Sequence, residues 1–113
     1  MAANTAVQIG TKRSAEVRNA VVSFRGLLDL ANNETLTGSP TVSVSPSGPT
    51  IDNEALNTES IGVDDETARV SEAVKFRISG GTDGTDYTLT IQCGTNSSPA
   101  QTLEVVASLR VRD

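Results

Sequence analysis

The sequence contains no histidine and no tryptophan, and it has a single cysteine, Cys93. One cysteine excludes an intramolecular disulfide, and with it the stapled scaffolds typical of small secreted proteins. A catalytic thiol needs a basic partner such as histidine, which this chain lacks. Cys93 follows Leu89 and Ile91 at the spacing of a strand, which predicts a small buried hydrophobic residue rather than a reactive one.

Aromatic residues are also scarce. Among 113 residues there are two phenylalanines and one tyrosine, and only 36% of the residues are hydrophobic. Valine, leucine, isoleucine and alanine must therefore build the core, and so thin a core favours further burial against neighbouring subunits. A carbohydrate-binding module stacks exposed aromatic rings on sugars. All three aromatic residues here are predicted to point inward, which disfavours that class of protein.

Long hydrophobic runs are missing as well. No run approaches the roughly 18 residues of a membrane span, and no apolar signal-peptide segment follows Met1. The net charge is −5, with 9 Lys and Arg against 14 Asp and Glu. Nucleic acids and anionic membranes both bind basic surfaces, so neither is an expected partner. The sequence predicts a soluble protein that folds in a reducing cytoplasm.

The charge is unevenly distributed along the chain. Both termini are basic, whereas the middle, from residue 52 to residue 72, is acidic. The basic residues of the termini are Lys12, Arg13, Arg18, Arg110 and Arg112. Solvated surface is the simplest explanation of this pattern, and complementary faces in an assembly are the alternative.

Residues 1–15 are small and polar without a period, which predicts an extended N-terminal arm. The arm has too little apolar surface to offset its own ordering, so we expect it to order against a neighbour. Val7 and Ile9 would be its apolar anchors, and Lys12 and Arg13 would face an acidic surface. Residues 16–113 are predicted to form one domain.

The C-terminal part of the domain has the clearest strand pattern. "AVKFRIS", "DYTLTIQC" and "QTLEVVASLRVRD" alternate apolar and polar residues, which predicts an antiparallel meander with one solvated face. Further strands are predicted at residues 16–24 and 41–45, with a short helical turn at Leu27–Leu30 between them.

Residues 50–72 have no sustained period. They are best described by two short strands, around 50–52 and 58–63, with a polar connection through Asp64, Asp65 and Glu66. Without a histidine or a pocketed lysine, these three carboxylates are interpreted as a solvated loop rather than an acid–base pair. The whole pattern predicts an all-β protein, an immunoglobulin-like two-sheet antiparallel sandwich of six or seven short strands.

The stretch "GGTDGTDY" (residues 80–87) permits two interpretations. Calcium loops space aspartates among glycines, but an EF-hand needs more carboxylates and flanking helices, so no metal and no cofactor are predicted. In immunoglobulin-like sandwiches a tyrosine at the start of a strand hydrogen-bonds its hydroxyl to backbone a few residues upstream. Gly84 and Tyr87 are placed for such a structural corner, because glycine permits the turn that the corner requires.

Longer stretches resemble a known family. "TKRSAEVRNAVVSFRGLLDLANNETLTGSPTVSV" and "VKFRISGGTDGTDYTLTIQCGTNSSPAQTLEVVASLRV" resemble small virion proteins of tailed bacteriophages, the fiber–tail adaptors. The likeness extends over about residues 11–112, and residues 50–72 contribute nothing to it. Its motifs are turns and strand patterns, which identify a phage virion β-sandwich better than they identify a place in the virion.

The resemblance implies a non-enzymatic connector that joins tail fibers or tail components to the tail or neck. Its partners would be other virion proteins, and its copies would form a ring or cluster in which the arm or strand edges hold neighbours by β-augmentation. It would reside in the virion, and in the host cytoplasm before assembly. The alternative is a capsid decoration protein that uses the same sandwich on the phage head.

Overall fold

The computed structural model describes residues 7–63 and 66–113, which form two main β-sheets and a small hairpin. The strands are β1 (Val7–Lys12), β2 (Val17–Ser23), β3 (Leu36–Ser45), β4 (Thr50–Leu56), β5 (Ile61–Val63), β6 (Glu66–Ala68), β7 (Ala73–Ser79), β8 (Thr85–Thr95) and β9 (Thr102–Val111). Two short 3₁₀ turns, Arg25–Leu27 and Leu30–Asn32, lie between β2 and β3. The prediction of an all-β fold with two sheets and negligible helix is confirmed.

The larger sheet has the strand order β1-β9-β8-β3, and the smaller sheet has the order β2-β7-β4. These seven strands match the number predicted, and the β5–β6 hairpin adds two more. The predicted meander is wrong, because β7 lies in the smaller sheet while β8 and β9 pair in the larger one. The glycine-rich segment after β7 carries the chain from one sheet to the other, a change that strand periodicity does not reveal.

The expectation of a purely antiparallel sandwich is also wrong at one edge. β1 pairs with β9 in parallel, with Lys12 opposite Val111. The chain then turns at residues 13–16 and enters β2 of the other sheet, so β1 can run alongside the last strand in the same direction. Residues 1–6 of the predicted arm lie outside the described residues.

The core lies between the sheets and is built by alternation. In β8 the buried residues are Tyr87, Leu89, Ile91, Cys93 and Thr95, with exposed or half-buried residues between them. β7 buries Val74, Phe76 and Ile78 against them, and β9 contributes every second residue from Val105 to Val111. The predicted inward faces of these three strands are confirmed. Period-2 patterns determine which residues face the core even where they do not determine the sheet.

The middle segment differs most from its prediction. A single strand, β4, runs through Leu56, and β5 and β6 then pair as a hairpin. Asp64 and Asp65, two of the three carboxylates expected in a loop, lie outside the described residues, and Glu66 begins β6. The scattered apolar residues of this segment do not predict these strands, because short strands at the margin of a core bury few side chains.

Candidate functional site

The described residues hold no group of three or more His, Cys, Asp or Glu side chains arranged to bind a metal. No helix among them is long and apolar enough to span a membrane. Cys93 is buried, burial raises the pKa of its thiol, and its sulfur lies 3.5 Å from the carbonyl oxygen of Thr37. A thiol in that setting is a poor nucleophile.

The cavities described here are open surface grooves. One groove of about 370 Å³ lies at the end of the sandwich between the β2–β3 and β8–β9 connections, and its lining includes Asp29, Glu34 and Gln101. Another of about 370 Å³ crosses the outer face of the smaller sheet beside Asn19 and Lys75. Neither groove combines an apolar enclosure with convergent polar groups, the arrangement typical of small-molecule sites. The candidate functional features are therefore surfaces, and the elements that hold them in place.

The corner between β7 and β8 is organised around Tyr87. Its ring is buried, and its hydroxyl oxygen accepts a hydrogen bond from the backbone N–H of Thr82 at 2.9 Å. That hydrogen bond is the main reason why the pKa of Tyr87 lies below its usual value. Gly84 adopts φ +83° and donates its N–H to the carbonyl of Val111 at 2.9 Å. Of the two residues predicted at the corner, Gly84 thus connects the turn to β9, and Tyr87 connects β8 to the backbone of the turn at Thr82.

Close packing makes a second glycine of this corner hard to replace. Gly81 adopts φ +104°, and a Cβ atom there would lie 2.9 Å from Cγ2 of Val111. Gly48, in the β3–β4 connection, approaches the same tyrosine, since its Cβ would lie 3.0 Å from the hydroxyl oxygen. The β3–β4 connection, the β7–β8 turn and the end of β9 therefore pack closely around the ring of Tyr87.

The predicted arm residues lie on and after β1. Val7 begins the strand, and Ile9 is half-buried against the core. Lys12 is 1% exposed, and its ammonium donates to the carbonyls of Arg13 at 2.7 Å, Ser14 at 3.3 Å and Gly80 at 2.6 Å. Three carbonyl acceptors replace the water that a buried ammonium loses. Lys12 therefore binds the turn after β1 to the corner after β7 within one chain.

Arg13 is exposed, and its backbone N–H donates to the Glu16 carboxylate at 2.8 Å. This hydrogen bond is the main cause that lowers the pKa of Glu16. The guanidinium of Arg13 makes no hydrogen bond or ion pair within the described part of the chain. The assembly role assigned to Val7, Ile9, Lys12 and Arg13 stays a prediction.

The turn after β1 and the residues that follow β9 meet at this same end of the sandwich, whereas Val7, the first described residue, lies opposite Ala107 in the middle of β9. The backbone N–H of Ser14 and its hydroxyl donate to the carboxylate of Asp113 at 2.9 Å. Arg112 pairs with Asp86 at 2.7 Å, and Arg110 lies 3.9 Å from the same carboxylate. Three of the five basic residues of the termini thus form ion pairs within the same chain: Arg18 with Glu16, and Arg110 and Arg112 with the one carboxylate of Asp86.

The opposite end depends on Asn57, a residue that no local sequence pattern singles out. Asn57 is 1% exposed and uses its whole amide. Its Nδ2 donates to the carbonyls of Glu59 and Arg69 at 2.8 and 2.7 Å, and its Oδ1 accepts from the N–H groups of Glu72 and Ala73. Asn57 thereby closes the base of the β5–β6 hairpin. An asparagine in a polar segment carries no signal of burial, so only the fold identifies it.

Two buried carboxylates support the same end. Glu72 is 3% exposed, accepts a hydrogen bond from the backbone N–H of Arg69 at 2.8 Å and lies 3.8 Å from Nε of Arg25. Glu34, 6% exposed, accepts from the backbone N–H of Asp29 at 2.9 Å. Both carboxylates accept hydrogen bonds from backbone N–H groups of the loops, which would otherwise lack partners. They fix the shape of the loops rather than present a reactive pair.

Comparison with known proteins gives one match. Residues 12–110 match the family model described as "Podophage GP4 fiber-tail adaptor protein gp77". The matched span begins at the buried Lys12, the last residue of β1, and ends in β9, so it includes the smaller sheet and three of the four strands of the larger one. Neither curated proteins nor solved structures gave a match to the chain.

Proposed function

Because this chain belongs to the podophage fiber-tail adaptor family, we propose that it joins the tail fibers of a podophage to the tail. As a member of that family it is a non-enzymatic structural protein of the phage virion, a component of the tail. The single observation that carries the proposal is the family match from residue 12 to residue 110. The rival function, decoration of the phage head, has no observation in its favour.

The geometry of the molecule supports a connecting role. The chain is elongated, 44 × 26 × 26 Å, with the β7–β8 corner and the residues after β9 at one end and the hairpin and long connections at the other. An adaptor must contact two different partners, and two chemically different ends separated along one axis suit that requirement. The proposal includes several copies, in a ring or cluster, between fiber and tail. It also includes folding in the host cytoplasm before assembly.

The proposal extends to the class of the sandwich, which we infer to be immunoglobulin-like. In that fold the sheets have the orders A-B-E-D and C-F-G, and the tyrosine of the corner stands at the start of strand F. Here β2-β7-β4 follows B-E-D, β3-β8-β9 follows C-F-G, and Tyr87 lies near the start of β8, whereas β1, in the position of strand A, pairs with β9 instead of β2. Residues 16–113 would form this domain together with β1, the edge strand of its larger sheet, and the N-terminal arm, residues 1–15, would contact a neighbour through the side chains that β1 and the turn after it leave exposed.

A defective phage that lacks this protein tests the function. Particles made without it are expected to have filled heads and tails but no fibers, and supplying the protein in trans should restore the fibers. Electron microscopy of purified particles gives the readout. Fibers that remain attached, together with heads that lose stability, would favour decoration and overturn the adaptor role.

A charge reversal at Arg13 tests the arm. Arg13→Glu changes an exposed side chain that makes no hydrogen bond or ion pair in the described chain, so the free protein should melt close to the wild type, with only a small loss from the weakened attraction to Glu16 and Asp113. Its incorporation into particles should fall if the arm docks on an acidic surface. Lys75→Glu, on the exposed face of β7, is the matched control for charge. Equal incorporation of the Arg13→Glu and wild-type proteins would remove Arg13 from the docking surface.

A further inference from the structure

The acidic charge of this chain is concentrated in the segment that runs along β4 into the β5–β6 hairpin. Residues 52–72 contain seven acidic residues and one basic residue, whereas the rest of the chain contains seven acidic and eight basic residues. The end of the sandwich that holds the hairpin, here called the hairpin end, is therefore the acidic one. A surface of one charge sign attracts partners of the opposite sign.

Glu34 is a buried carboxylate of the hairpin end without an ion pair. It is 6% exposed, and its Oε1 accepts a hydrogen bond from the N–H of Asp29 at 2.9 Å. Its Oε2 has no hydrogen-bond or ion-pair partner among the described residues. Glu72, which is as deeply buried, has Arg25 at 3.8 Å. Buried carboxylates are ordinarily paired, so Glu34 lacks the cation that Glu72 has.

The free oxygen of Glu34 reaches the surface. In the described part of the chain, Ser108 Oγ alone is a fully buried side-chain oxygen or nitrogen without a partner, so Oε2 of Glu34 is accessible. Glu34 lines the groove of about 370 Å³ between the β2–β3 and β8–β9 connections. The rest of that lining consists of Asp29, three amide side chains and two serines, with no basic and no apolar residue.

Other acceptors of this groove are also unused. Asp29 accepts the side-chain N–H of Asn32 at 2.7 Å through Oδ2, which leaves its Oδ1 without a side-chain donor among the described residues. The side-chain amide of Gln101 has no partner there either. Two carboxylates and free oxygen acceptors suit a ligand that is positive and rich in donors. A guanidinium has five N–H donors in a planar fork and no acceptor.

We propose that this groove binds an arginine side chain of the virion protein that meets the hairpin end of the adaptor. The guanidinium pairs with the carboxylates of Glu34 and Asp29 and takes further acceptors from the amide side chains. The site rests on the proposed adaptor function and specifies the chemistry of one of its two contacts. It lies at one end of the long axis, so the arm and the flanks of the sandwich stay available to neighbouring copies in a ring.

Arginines of this chain are poor candidates for the occupant. Arg69 lines the adjoining groove beside Glu34 but forms no ion pair within the described residues. Its backbone is held on that side, because its N–H donates to Glu72 and its carbonyl accepts from Asn57. Arg13 of a second copy would use both ends of the molecule for self-contact and leave neither for the fiber or the tail. The arginine therefore belongs to a different protein.

Nuclear magnetic resonance of the ¹⁵N-labelled protein tests the site, with N-acetyl-arginine amide as the probe. The side-chain amide resonance of Gln101 should shift saturably, with a roughly millimolar dissociation constant for a single side chain. N-acetyl-citrulline amide, a neutral analogue of similar shape, should cause no saturable shift. Glu34→Gln keeps the acceptor for the Asp29 N–H and should weaken binding about tenfold. Glu104→Gln, at an exposed carboxylate of β9, should bind as the wild type does.

Four outcomes would overturn the proposal. They are the absence of a saturable shift, equal binding of the citrulline derivative, wild-type affinity in Glu34→Gln, and saturable shifts of the same resonances by calcium chloride, which would make this a metal site. Should Glu34→Gln not fold, Ser98→Lys decides. Ser98 is exposed at the groove, so its replacement supplies an internal ammonium that should compete with the probe and abolish the shifts.

The same lysine variant tests the site in the virion. Ser98→Lys, supplied in trans to phage that lack this protein, should give particles with fewer attached fibers than the wild type gives. Ser43→Lys, which adds an equal charge to an exposed serine of β3, should restore fibers fully. Full restoration by Ser98→Lys would remove the groove from the contact and leave the adaptor role standing. Phage that keep their fibers without any of this protein would instead remove the adaptor role.

Discussion

One side chain stabilises each end of this sandwich, and at the end that contains the β7–β8 corner this side chain is Tyr87. Tyr87→Phe removes the acceptor of the Thr82 N–H while the ring stays in place. Loss of this partly buried hydrogen bond should lower the melting temperature by roughly 4–8 °C in a domain of this size. Differential scanning calorimetry measures the change.

A control variant distinguishes the effect of losing the Tyr87 hydroxyl at the corner from the effect of losing any hydroxyl group of β8. Thr88→Val removes an exposed hydroxyl from the next residue of β8 and should leave the melting temperature within about 2 °C of the wild type. If the Tyr87→Phe and Thr88→Val variants melt together, the hydroxyl of Tyr87 has no stabilising role.

Asn57 is the corresponding residue at the hairpin end. Asn57→Asp keeps the shape of the side chain but removes both donors and sets a carboxylate against two carbonyl oxygens. We expect a loss of about 2–4 kcal/mol in the free energy of unfolding, measured by urea denaturation.

The control for Asn57→Asp is the same substitution at an exposed asparagine nearby. Asn53→Asp adds an equal charge to β4 without a buried hydrogen-bond network, so its stability should change by less than about 0.5 kcal/mol. Equal effects at the two positions would show that charge, rather than the amide network, matters.

At the scale of elements, the β7–β8 corner requires glycine at a specific place. Gly81→Ala imposes a strained backbone at φ +104° and sets Cβ 2.9 Å from Val111. The expected loss is about 2 kcal/mol or more in the free energy of unfolding, again by urea denaturation.

Gly26→Ala is the matched control for the corner. Nothing lies within 4 Å of the added Cβ in the first 3₁₀ turn, so its effect should be small. If Gly81→Ala is as stable as Gly26→Ala, the passage between the sheets does not depend on glycine.

At the scale of the whole molecule, carboxylates connect segments that are far apart in sequence. Ser14 lowers the pKa of Asp113 by hydrogen bonding, and Arg77 lowers the pKa of Asp52 in the same way. Groups whose pKa is lower in the folded chain stabilise it above the unfolded value, ordinarily 3.8 for Asp, and stop doing so as the pH falls through the folded value.

The melting temperature should accordingly be level above about pH 5 and fall below about pH 4. Asp113→Asn should make the acid decline shallower, because one of the titrating groups is gone. Glu104→Gln, at an exposed carboxylate that accepts a hydrogen bond from the neutral amide of Gln92, is the control. A wild-type melting temperature that stays constant down to about pH 2.5 would contradict the role of these carboxylates.

Part of this protein could be predicted from residue types and their spacing. Period-2 alternation assigned the inward residues of β7, β8 and β9, since side chains of a strand alternate between faces whatever the strand pairs with. The stretch around Tyr87 indicated a corner, and the longer stretches indicated the adaptor family that the family match then established. The lack of histidine and the single cysteine directed the interpretation away from an enzyme.

Only the tertiary structure decided how the strands combine. Alternation does not tell which sheet a strand joins, so the placement of β7 opposite β8 and the parallel pairing of β1 with β9 had no signal in sequence. Lys12 and Asn57 are polar residues that local patterns assign to the surface, yet both are buried because distant carbonyl and N–H groups converge on them. Burial of a polar group depends on partners far along the chain, and those partners are set by the fold.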